Sequence, residues 1–453
     1  MTGATDPTPR VRVVVLNYDG GDMTLRCLEE LRAVDWPADA LEIVLVDNAS
    51  IDGIAPRVRS TLPWVELVEH THNVGFAGGC NLGLTDLDDV DYVALLNNDA
   101  VPDRNWLRPL VDALEHDDAL GAACSKIVFA PSFLTLTIET PTFSPALDGR
   151  ELGVKVTGLA ADGAEVWEHA QFADGCHTHQ ARGSGIEPLV WTAGRAEIRI
   201  PVEVGAAAPT AVEIELSAEG EKVVRLRAGG DEVEVTVGET PTWHQVPTGG
   251  PTYDVINNVG SRLVLGGYGG DRGFLEPDEG QYAQPEEVFA WCGGAVLLSA
   301  RYLREVGTFD DRYFMYYEDT DLSWRGRLAG WRYCYVPESV VRHEHAASSK
   351  EGSALFMHYV ERNRFLTLAR NAPWSMFAEA SYVYLRDTAV ILDRDVVRRM
   401  RHRSRPAPGF ALRRLRAYAG FLKLFPATLR TRRAQHASAA DRAGIVERWG
   451  VPQ

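Results

Sequence analysis

The first 128 residues alternate between two hydrophobic patterns, one typical of buried strands and one typical of amphipathic helices. Runs of β-branched and other apolar residues predict four strands, at residues 11–16, 41–46, 64–68 and 92–96. Leucines three residues apart predict a helix over residues 23–34, and a second helix is expected to begin at residue 79. This alternation predicts an α/β fold in which helices cover a parallel sheet.

Polar residues directly follow three of the predicted strands. They are Asn17-Tyr18, Asp47-Asn48 and Asn97-Asn98-Asp99. Because ligands bind beyond the carboxyl ends of strands in such sheets, we expect these side chains to face a ligand. Two interpretations of Asp47 stay open, since it would either accept hydrogen bonds from a base or ribose or cap the next helix.

A glycine-rich segment, with Gly75, Gly78 and Gly79, precedes the second predicted helix. Glycines permit close approach of the backbone to a ligand, and a helix N-terminus favours an anion such as a diphosphate. The alternative is a plain tight turn. The segment does not end in the Gly-Lys-Ser/Thr of an ATPase loop, so that class of phosphate site is excluded.

The hydrophobic pattern changes near residue 130 and resumes its first form after about residue 250. Apolar residues alternate with glutamate or threonine over residues 212–216 and 233–237, and the Gly-Gly-Asp at residues 229–231 between them predicts a hairpin turn. Many short alternating segments predict an antiparallel sandwich whose sheets each have one solvent-exposed face.

Three regions follow from these patterns. We expect an α/β domain at residues 10–130 and 251–370, interrupted by an all-β sandwich domain at residues 131–250. A basic helical region is predicted over residues 371–453.

Prolines interrupt the helical pattern of this last region. Pro406, Pro408 and Pro426 are expected to divide it into separate pieces. Over residues 411–425, leucines and aromatic residues occupy one side and basic residues supply the charge. This piece is therefore either an amphipathic helix at a membrane surface or a helix packed on the core.

The net charge of −17 is unevenly distributed over the 453 residues. From residue 391 to the end there are 15 Lys and Arg against four Asp and Glu, so the rest of the chain carries −28. An acidic body argues against nucleic-acid binding. The basic end is expected to meet an anionic partner such as a membrane surface.

Cysteine usage and the N-terminus bear on the compartment. Six cysteines are scattered without a Cys-x-x-Cys pair, which is typical of reduced thiols and excludes a disulfide framework. The sequence contains neither a signal-peptide pattern nor a long apolar span. We expect a cytoplasmic protein, with peripheral association at the inner face of the plasma membrane as the alternative.

A cluster of carboxylates marks the candidate chemistry. Glu318, Asp319 and Asp321 follow directly on the aromatic residues 313–316, and one such carboxylate held in a cleft is suited to act as a general base. At a strand end, Asp99 suits Mg²⁺ or Mn²⁺, which prefer oxygen ligands. We expect a later ligand to complete that shell, and we favour the first of two neighbouring histidines, at residues 343 and 345.

Seven ordered motifs in this chain resemble those of glycosyltransferase family 2, the inverting enzymes with the GT-A fold. They are Val-Leu-Asn-Tyr-Asp-Gly (15–20), Val-Asp-Asn-Ala-Ser-Ile-Asp-Gly (46–53), Asn-Val-Gly-Phe-Ala-Gly-Gly-Cys-Asn (73–81), Leu-Leu-Asn-Asn-Asp (95–99), Trp-Cys-Gly-Gly-Ala (291–295), Gly-Thr-Phe-Asp-Asp (307–311) and Tyr-Glu-Asp-Thr-Asp-Leu (317–322). The chain looks most similar to the rhamnosyltransferase and galactofuranosyltransferase branch.

The resemblance implies a role for each site residue. Residues that would hold the nucleotide sugar are Asn17, Tyr18, Asp47, Asn48, Asn73, Gly75, Gly78, Asn81, Asn97 and Asn98. Residues that would line the acceptor or sugar pocket are Trp291, Cys292, Gly293 and Gly294. Asp99 and His343 would bind the metal, and Asp319 would be the general base with Glu318 and Asp321 in support. Asn97 stands where the family often has Asp, which leaves one carboxylate fewer near the metal.

The resemblance also implies an activity. We expect metal-dependent transfer with inversion, from a dTDP- or UDP-linked sugar to a glycan or polyprenyl-linked glycan, with dTDP-rhamnose as the favoured donor. A UDP-galactofuranose or UDP-hexose transferase and an inactive sugar-binding protein are the alternatives. A nucleotidyltransferase is disfavoured because residues 17–22 are acidic, where that class needs a basic glycine-rich loop.

The predicted β-sandwich has no counterpart in the family core. Its first residues look like small jelly-roll modules of some bacterial surface-polysaccharide transferases. Trp167, Trp191 and Trp243 would either stack on sugar rings of the acceptor or pack in the core. A structural role or a role in homo-oligomerisation is the alternative to glycan binding.

Overall fold

The computed structural model describes residues 8–145, 149–180, 189–344 and 353–452. The chain divides into two compact units. The first, which we call the α/β unit, comprises Met1–Val128 and Ile256–Gln453, and the second, which we call the β unit, comprises Phe129–Val255.

Strands and helices are numbered in chain order. The strands are β1 (Val11–Asn17), β2 (Leu41–Asp47), β3 (Glu66–Glu69), β4 (Tyr92–Asn97), β5 (Ala100–Pro102), β6 (Leu120–Phe129), β7 (Ser132–Glu139), β8 (Lys155–Ala161), β9 (Ala164–Glu165), β10 (Gln171–Phe172), β11 (Cys176–Gln180), β12 (Leu189–Thr192), β13 (Arg195–Val202), β14 (Ala211–Ser217), β15 (Lys222–Arg227), β16 (Val233–Val237), β17 (Thr242–Pro247), β18 (Ile256–Asn258), β19 (Ser261–Val264), β20 (Tyr268–Asp271), β21 (Glu286–Glu287), β22 (Ala295–Ser299), β23 (Arg332–His343) and β24 (Gly450–Val451). The α-helices are α1 (Gly21–Leu31), α2 (Ile54–Thr61), α3 (Gly75–Gly83), α4 (Leu107–His116), α5 (Ala300–Val306), α6 (Glu318–Leu328), α7 (Ala354–Asn371), α8 (Trp374–Leu392), α9 (Arg399–Arg401), α10 (Gly409–Ala434) and α11 (Ala439–Trp449). A 3₁₀ turn (Asp311–Tyr313) precedes α6, and a π-helical segment (Asp393–Arg398) joins α8 to α9.

A ten-stranded sheet forms the centre of the α/β unit, with β21-β23-β6-β22-β4-β1-β2-β3 as its main order. Strand β1 runs parallel to β2 and β4, and β22 is antiparallel to β4 and β6. In this register Asn17 lies opposite Asp47, and Leu16 lies opposite Asn97. The carboxyl ends of β1, β2 and β4 therefore meet at one edge, and the predicted α/β class is confirmed.

Alternate residues of β1 point to opposite faces of the sheet, as the pleat requires. Val13 and Val15 pack in one buried cluster with Leu28 of α1 and Trp106. Val14 belongs to the cluster on the other face, with residues of α3, α6 and α7. Both faces of the sheet are thus covered, which is why the strands read as continuous apolar runs.

Helix α3 begins at Gly75, four residues before the predicted start. A Cβ atom at Gly79 would collide with the side chain of Leu16, and one at Gly83 would collide with Val14. These two glycines, four residues apart on one helix face, let α3 lie directly on β1. The glycine-rich segment is therefore a helix packed closely on the sheet, and the expectation that these glycines precede the helix is wrong.

The β unit is built from two antiparallel sheets around one buried apolar cluster. One sheet has the order β10-β13-β7-β15-β16 and the other β11-β12-β8-β14-β17, with β9 added beside β8. The turn at residues 229–231 joins β15 to β16. It does not connect residues 212–216 directly to residues 233–237, because β15 lies between those two segments.

The C-terminal region is helical, as predicted, and belongs to the α/β unit. Helix α10 continues through Pro426, so the expected break at that proline is wrong. Its Phe421 is buried in the core cluster that also contains Phe365 of α7 and Tyr384 of α8. Tertiary packing of these aromatic residues thus outweighs the local cost of proline.

Two arginines of this region donate hydrogen bonds to backbone carbonyl groups of α7 and the residue after it. Arg432 donates hydrogen bonds to the carbonyl oxygens of Ala369, Arg370 and Ala372 at the end of α7, and Arg442 donates to that of Asn371. Burial, with Arg442 nearby, lowers the pKa of Arg432 to about 10. Cations at a helix C-terminus are stabilised by the helix dipole, so part of the basic excess is structural.

Among the helices of the described ranges, none has the length and the apolar character that crossing a bilayer requires.

Candidate active site

A cavity of about 540 Å³ lies at the carboxyl ends of β1, β2 and β4. Twelve of the sequence-predicted site residues line it: Tyr18, Asn48, Asn73, Gly75, Asn97, Asn98, Asp99, Cys292, Gly293, Gly294, Glu318 and Asp319. Seven further lining residues were not predicted as site residues: Leu16, Phe76, Phe314, Met315, Tyr316, Leu355 and Tyr359. The motifs from both halves of the α/β unit thus converge on one cavity.

Asp319 stands in the first turn of α6 and borders the cavity. One carboxylate oxygen accepts hydrogen bonds from the backbone N–H and the hydroxyl of Thr320, at 2.6 and 3.2 Å. The other accepts from the backbone N–H of Gly293 at 3.2 Å. Burial raises the pKa of Asp319 above its ordinary value, although these hydrogen bonds oppose the rise. A carboxylate held in this way has an increased affinity for a substrate proton.

The side chain of Glu318, the preceding residue, is buried. Burial, and the neighbouring charge of Asp319, raise its pKa well above the ordinary value. Among the described residues none forms a hydrogen bond with its Oε2 atom. Burial therefore favours the protonated form of Glu318 more strongly than that of Asp319, whose carboxylate is held by three hydrogen bonds.

Asp321 does not line the cavity. Its side chain is fully buried and receives hydrogen bonds from Tyr313, Arg325, Arg370 and Asn371, at 2.8–3.1 Å. These partners come from the 3₁₀ turn, α6 and α7. Asp321 therefore fixes the first turn of α6, on which Asp319 stands, and its position supports the expected orienting role without contact with a ligand.

Asn17 is likewise buried behind the cavity. Its Nδ2 donates to Asp47 and Ser50, at 3.2 and 2.8 Å, and its Oδ1 accepts from Thr24 and Asn98, at 2.7 and 3.2 Å. Asn17 and Asp47 do not line the cavity, because their polar atoms face this network. They hold Asn98 and the strand ends in place.

The N-terminus of α3 is already occupied by protein groups. Asn48 Oδ1 accepts from the N–H of Val74, Asn73 Oδ1 accepts from that of Gly75, and the carbonyl of Phe314 accepts from that of Ala77. A diphosphate could reach these N–H groups only by displacing those bonds. An anion at this helix end would compete with these bonds, and the diphosphate site there stays a prediction.

Three other predicted residues lie away from the cavity. The side chain of Asn81 donates to Phe309 and Asp311, which ties α3 to the segment before α6. Gly78 packs against Val74, and Trp291 is fully buried in the core. These residues support the site through packing.

Asp99 and His343 meet at the edge of the cavity. The Oδ1 atom of Asp99 lies 3.0 Å from Nε2 of His343, whose Nδ1 lies 3.1 Å from the side-chain oxygen of Asn257. In the ring form in which Nδ1 donates to that oxygen, Nε2 is an acceptor that faces both the carboxylate and the Nδ2 atom of Asn97, 3.1 Å away. A cation between two facing acceptors would satisfy both, and a partner on Nδ1 is usual for a histidine that binds a metal. His345, the second candidate, lies outside the described residues.

Asp99 and His343 would supply only part of the ligands that a metal ion needs. Within the described residues, no group of three or more His, Cys, Asp and Glu side chains is placed to hold a metal ion. The Nδ2 atom of Asn97 lies 3.1 Å from Nε2 of His343 and adds no carboxylate. A divalent ion here would need oxygen ligands from a substrate or from water.

An aromatic wall formed by residues 314–316 and Tyr359 was missed as part of the site. Phe314 stacks on Tyr359 of α7, with ring centroids 5.0 Å apart. Phe314 and Tyr316 both have φ of 66°, and Asn363 of α7 donates to three carbonyl oxygens of this loop, at 2.7–2.9 Å. The only signal in the sequence was the aromatic run before the acidic cluster.

Comparisons with known proteins agree with these motifs. Residues 12–144 match the model of glycosyl transferase family 2. Two curated relatives, both named N-acetylglucosaminyl-diphospho-decaprenol L-rhamnosyltransferase and from two strains of Mycobacterium tuberculosis, are 38% identical over 91 residues. The match covers 20% of this chain and spans 30% of the length of each relative.

Solved structures with a partial likeness are also glycosyltransferases. GalNAc-T7 with UDP, GalNAc and Mn²⁺ is 12% identical, with a TM-score of 0.45 over 96% of this chain and 59% of that chain. The mannosyltransferase PcManGT from Pyrobaculum calidifontis, with GDP-Man and Mn²⁺, is 15% identical, with a TM-score of 0.41 over 97% of this chain and 88% of that chain.

The raised pKa of Glu318 predicts a pH-dependent stability. The unfolded chain ionises this group near pH 4.5, whereas burial makes the folded chain retain the proton to a higher pH, so the presence of Glu318 lowers the stability increasingly as the pH rises above 4.5. We expect Glu318→Gln to raise the melting temperature at about pH 7.5 and to leave it nearly unchanged at about pH 4, as measured by circular dichroism. The control is Glu66→Gln, on an exposed side chain. An equal effect of Glu318→Gln at both pH values would contradict the assignment.

Proposed function

We propose that residues 12–144, which match the model of glycosyl transferase family 2, belong to that family and that the protein transfers a sugar from a nucleotide diphosphate to an acceptor hydroxyl with inversion. The observation that supports this most is the convergence of Asp319, with its raised pKa, and the strand-end residues Asn97 to Asp99 on one cavity. Base, metal ligand and nucleotide-binding groups are needed together for that reaction.

Asp319 is the proposed general base. It accepts the proton of the acceptor hydroxyl while that oxygen attacks the anomeric carbon from the face opposite the leaving diphosphate. Gly293 and Thr320 hold the carboxylate by hydrogen bonds, and the raised pKa of Glu318 favours its uncharged form beside the base. A single displacement of this kind inverts the anomeric configuration.

Asp99 and His343 are the proposed protein ligands of Mg²⁺ or Mn²⁺. A bound divalent ion would neutralise the charge that develops on the leaving diphosphate. A hydrogen bond from Nδ1 of His343 to Asn257 would present Nε2 for coordination. Tyr18 and Asn48, at the strand ends, are the proposed contacts with the nucleotide.

The proposed donor is dTDP-rhamnose, and the proposed acceptor is a lipid-linked glycan. The curated relatives carry in their name a rhamnosyl transfer to a decaprenol-linked sugar. A UDP-galactofuranose or UDP-hexose donor is the alternative within the same mechanism. The aromatic wall of Phe314, Tyr316 and Tyr359 would contact the apolar face of a sugar ring.

Contact with an anionic membrane is proposed for α10, which would bring the enzyme to such an acceptor. One stripe of this helix consists of exposed apolar residues at a spacing of three or four: Leu412, Leu415, Ala419, Leu422 and Pro426. Exposed basic residues lie beside it, at Arg413, Arg416, Lys423 and Arg430. An apolar stripe flanked by cations is typical of a helix at the surface of an anionic bilayer.

Substitution of Asp319, the proposed general base, tests the proposed sugar transfer. We expect Asp319→Asn to lower turnover by roughly 10²–10⁴-fold, because no group then accepts the acceptor proton. Turnover is measured as nucleotide diphosphate released from dTDP-rhamnose with an N-acetylglucosaminyl-diphospho-prenol acceptor, and donor affinity, which should be retained, by calorimetry. UDP-galactofuranose and UDP-galactose are run in parallel.

The matched control is Asp22→Asn, on an exposed carboxylate that pairs with Arg57. Wild-type turnover by Asp319→Asn would contradict the assignment of the base. No turnover of wild-type protein with any of these donors would favour an inactive sugar-binding protein.

Metal binding is tested separately from activity. We expect His343→Ala to abolish Mn²⁺ binding in the presence of dTDP, as followed by electron paramagnetic resonance, because only one protein ligand remains. Asn257→Ala should weaken binding by roughly 10–100-fold, since the histidine loses its orienting partner. His72→Ala, on an exposed histidine, is the control. Unchanged Mn²⁺ affinity in His343→Ala would refute the site.

The apolar stripe of α10 is tested with vesicles. We expect the combined substitution of Leu412, Leu415 and Leu422 by Ser to reduce co-sedimentation with phosphatidylglycerol vesicles by about tenfold or more, because each leucine contributes about 1.5–3 kcal/mol on burial. Val204→Ser, on an exposed residue of the β unit, is the control. Wild-type binding to phosphatidylcholine alone, or unchanged sedimentation of the variant, would contradict the proposal.

A further inference from the structure

The outer face of the six-stranded sheet in the β unit carries an exposed tryptophan. Trp243 of β17 lies opposite Glu215 of β14, which in turn lies opposite Gly158 of β8. The three residues form one row across three strands, and the side chain of Trp243 is 49% exposed. A single exposed aromatic residue is common on a protein surface, so the surroundings of Trp243 decide whether it marks a site.

A glycine makes room for this indole ring. A Cβ atom at Gly158 would lie 2.6 and 2.7 Å from two carbons of the six-membered ring of Trp243. The ring therefore occupies the space above Gly158 where a side chain would otherwise stand. The position of the indole ring therefore depends on glycine at residue 158, since any larger residue there would displace the ring.

A shallow cavity of about 460 Å³ adjoins the ring. Its lining includes Thr157, Gly158, Glu165 and Glu213 beside Trp243. Cavities of this size are within the range of roughly 300–1,000 Å³ that small-molecule sites occupy.

Hydrogen-bond acceptors stand around the ring. The carboxylate of Glu213 accepts from the N–H of Gly163 at 3.4 Å, and that of Glu215 accepts from the hydroxyl of Thr157 at 2.8 Å. Each carboxylate oxygen has two lone pairs, so both side chains keep capacity for hydroxyl donors of a ligand. A flat apolar surface beside such acceptors matches a sugar, which presents C–H groups on one face and hydroxyls at its edge.

The other two tryptophans considered from the sequence do not offer such a surface. Trp167 is buried in the core of the β unit, where it packs against Phe172. Trp191 is half-buried, with the ammonium group of Lys155 over its ring and Phe143 against its edge. Trp243 is thus the one of the three that is exposed.

We propose that Trp243, Gly158, Glu213 and Glu215 form a binding site for a neutral saccharide, made wholly of residues of the β unit. The saccharide ring stacks on the indole, and its hydroxyl groups donate to the two carboxylates. Residues 130–250 contain 18 Asp and Glu against eight Lys and Arg, so an anionic sugar is repelled. This site goes beyond the proposed transfer reaction, because it binds a glycan without donor, metal or base.

The site is tested on the full chain labelled with 5-fluorotryptophan, by ¹⁹F NMR. The resonance of Trp243 is identified by its loss in Trp243→Phe. The probes are a trisaccharide of L-rhamnose, a trisaccharide of N-acetylglucosamine and, as the anionic comparison, a trisaccharide of galacturonic acid. We expect the Trp243 resonance to shift saturably with at least one neutral probe and not with the anionic one.

Two variants separate a binding site from a merely exposed side chain. Trp243→Ala should abolish saccharide binding measured by calorimetry. Gly158→Val should weaken it by about tenfold or more, because the indole is retained but displaced; a tenfold change corresponds to about 1.4 kcal/mol. Trp191→Phe is the matched control and should bind like wild type. Circular dichroism melting confirms that each variant is folded.

The outcomes decide the proposal independently of the transferase activity. Release of nucleotide diphosphate by Trp243→Ala should equal that of wild type with a short acceptor, and failure of transfer in both proteins would bear only on the proposed function. No shift of the Trp243 resonance with either neutral probe, or equal affinity of Trp243→Ala and wild type, would overturn the saccharide site. A shift with protein concentration alone would instead indicate a contact between copies of the chain, and would likewise overturn it.

Discussion

The network of hydrogen bonds and ion pairs around the buried carboxylate of Asp321 is the interaction on which the candidate active site most depends. It is fully removed from water and is satisfied by two guanidinium groups, from Arg325 and Arg370, together with Tyr313 and Asn371. Removal of one partner from such a buried charge network typically costs about 3–5 kcal/mol, because an uncompensated charge remains. Since Asp319 stands two residues away on the same helical turn, the network that holds α6 in the fold also sets the direction of the proposed base.

Two further sets of hydrogen bonds hold other parts of the cavity wall. Asn17 joins the ends of β1 and β2 to α1 and Asn98, and Asn363 of α7 separately holds backbone carbonyls of residues 313–316. Both side chains are fully buried, and each makes several hydrogen bonds to groups distant in the chain. The residues that line the cavity are therefore positioned by side chains that belong to the buried interior.

The sequence predicted the features that depend on local pattern. Buried strands, the polar residues at their ends and the acidic cluster are all local signals, and register then placed Asn17 beside Asp47. Features set by contacts between distant residues were missed. The stacking of Phe314 on Tyr359 and the passage of α10 through Pro426 are examples, because neither a turn pattern nor a helix propensity encodes the partner. Gly79 of α3 was misinterpreted for the same reason, since its partner, Leu16, lies on another element.

Helix α7 connects these networks and explains why the C-terminal region is not a detachable tail. Its middle carries Tyr359 and Asn363 against the cavity, and its end carries Arg370 and Asn371 against Asp321. The carbonyl groups at that end are in turn held by Arg432, at the last turn of α10. One face of α10 therefore supports the catalytic unit, while its exposed apolar stripe faces away from the core. Truncation of α10 would disturb the active site together with any membrane contact, so only substitutions confined to the exposed stripe can separate the two roles.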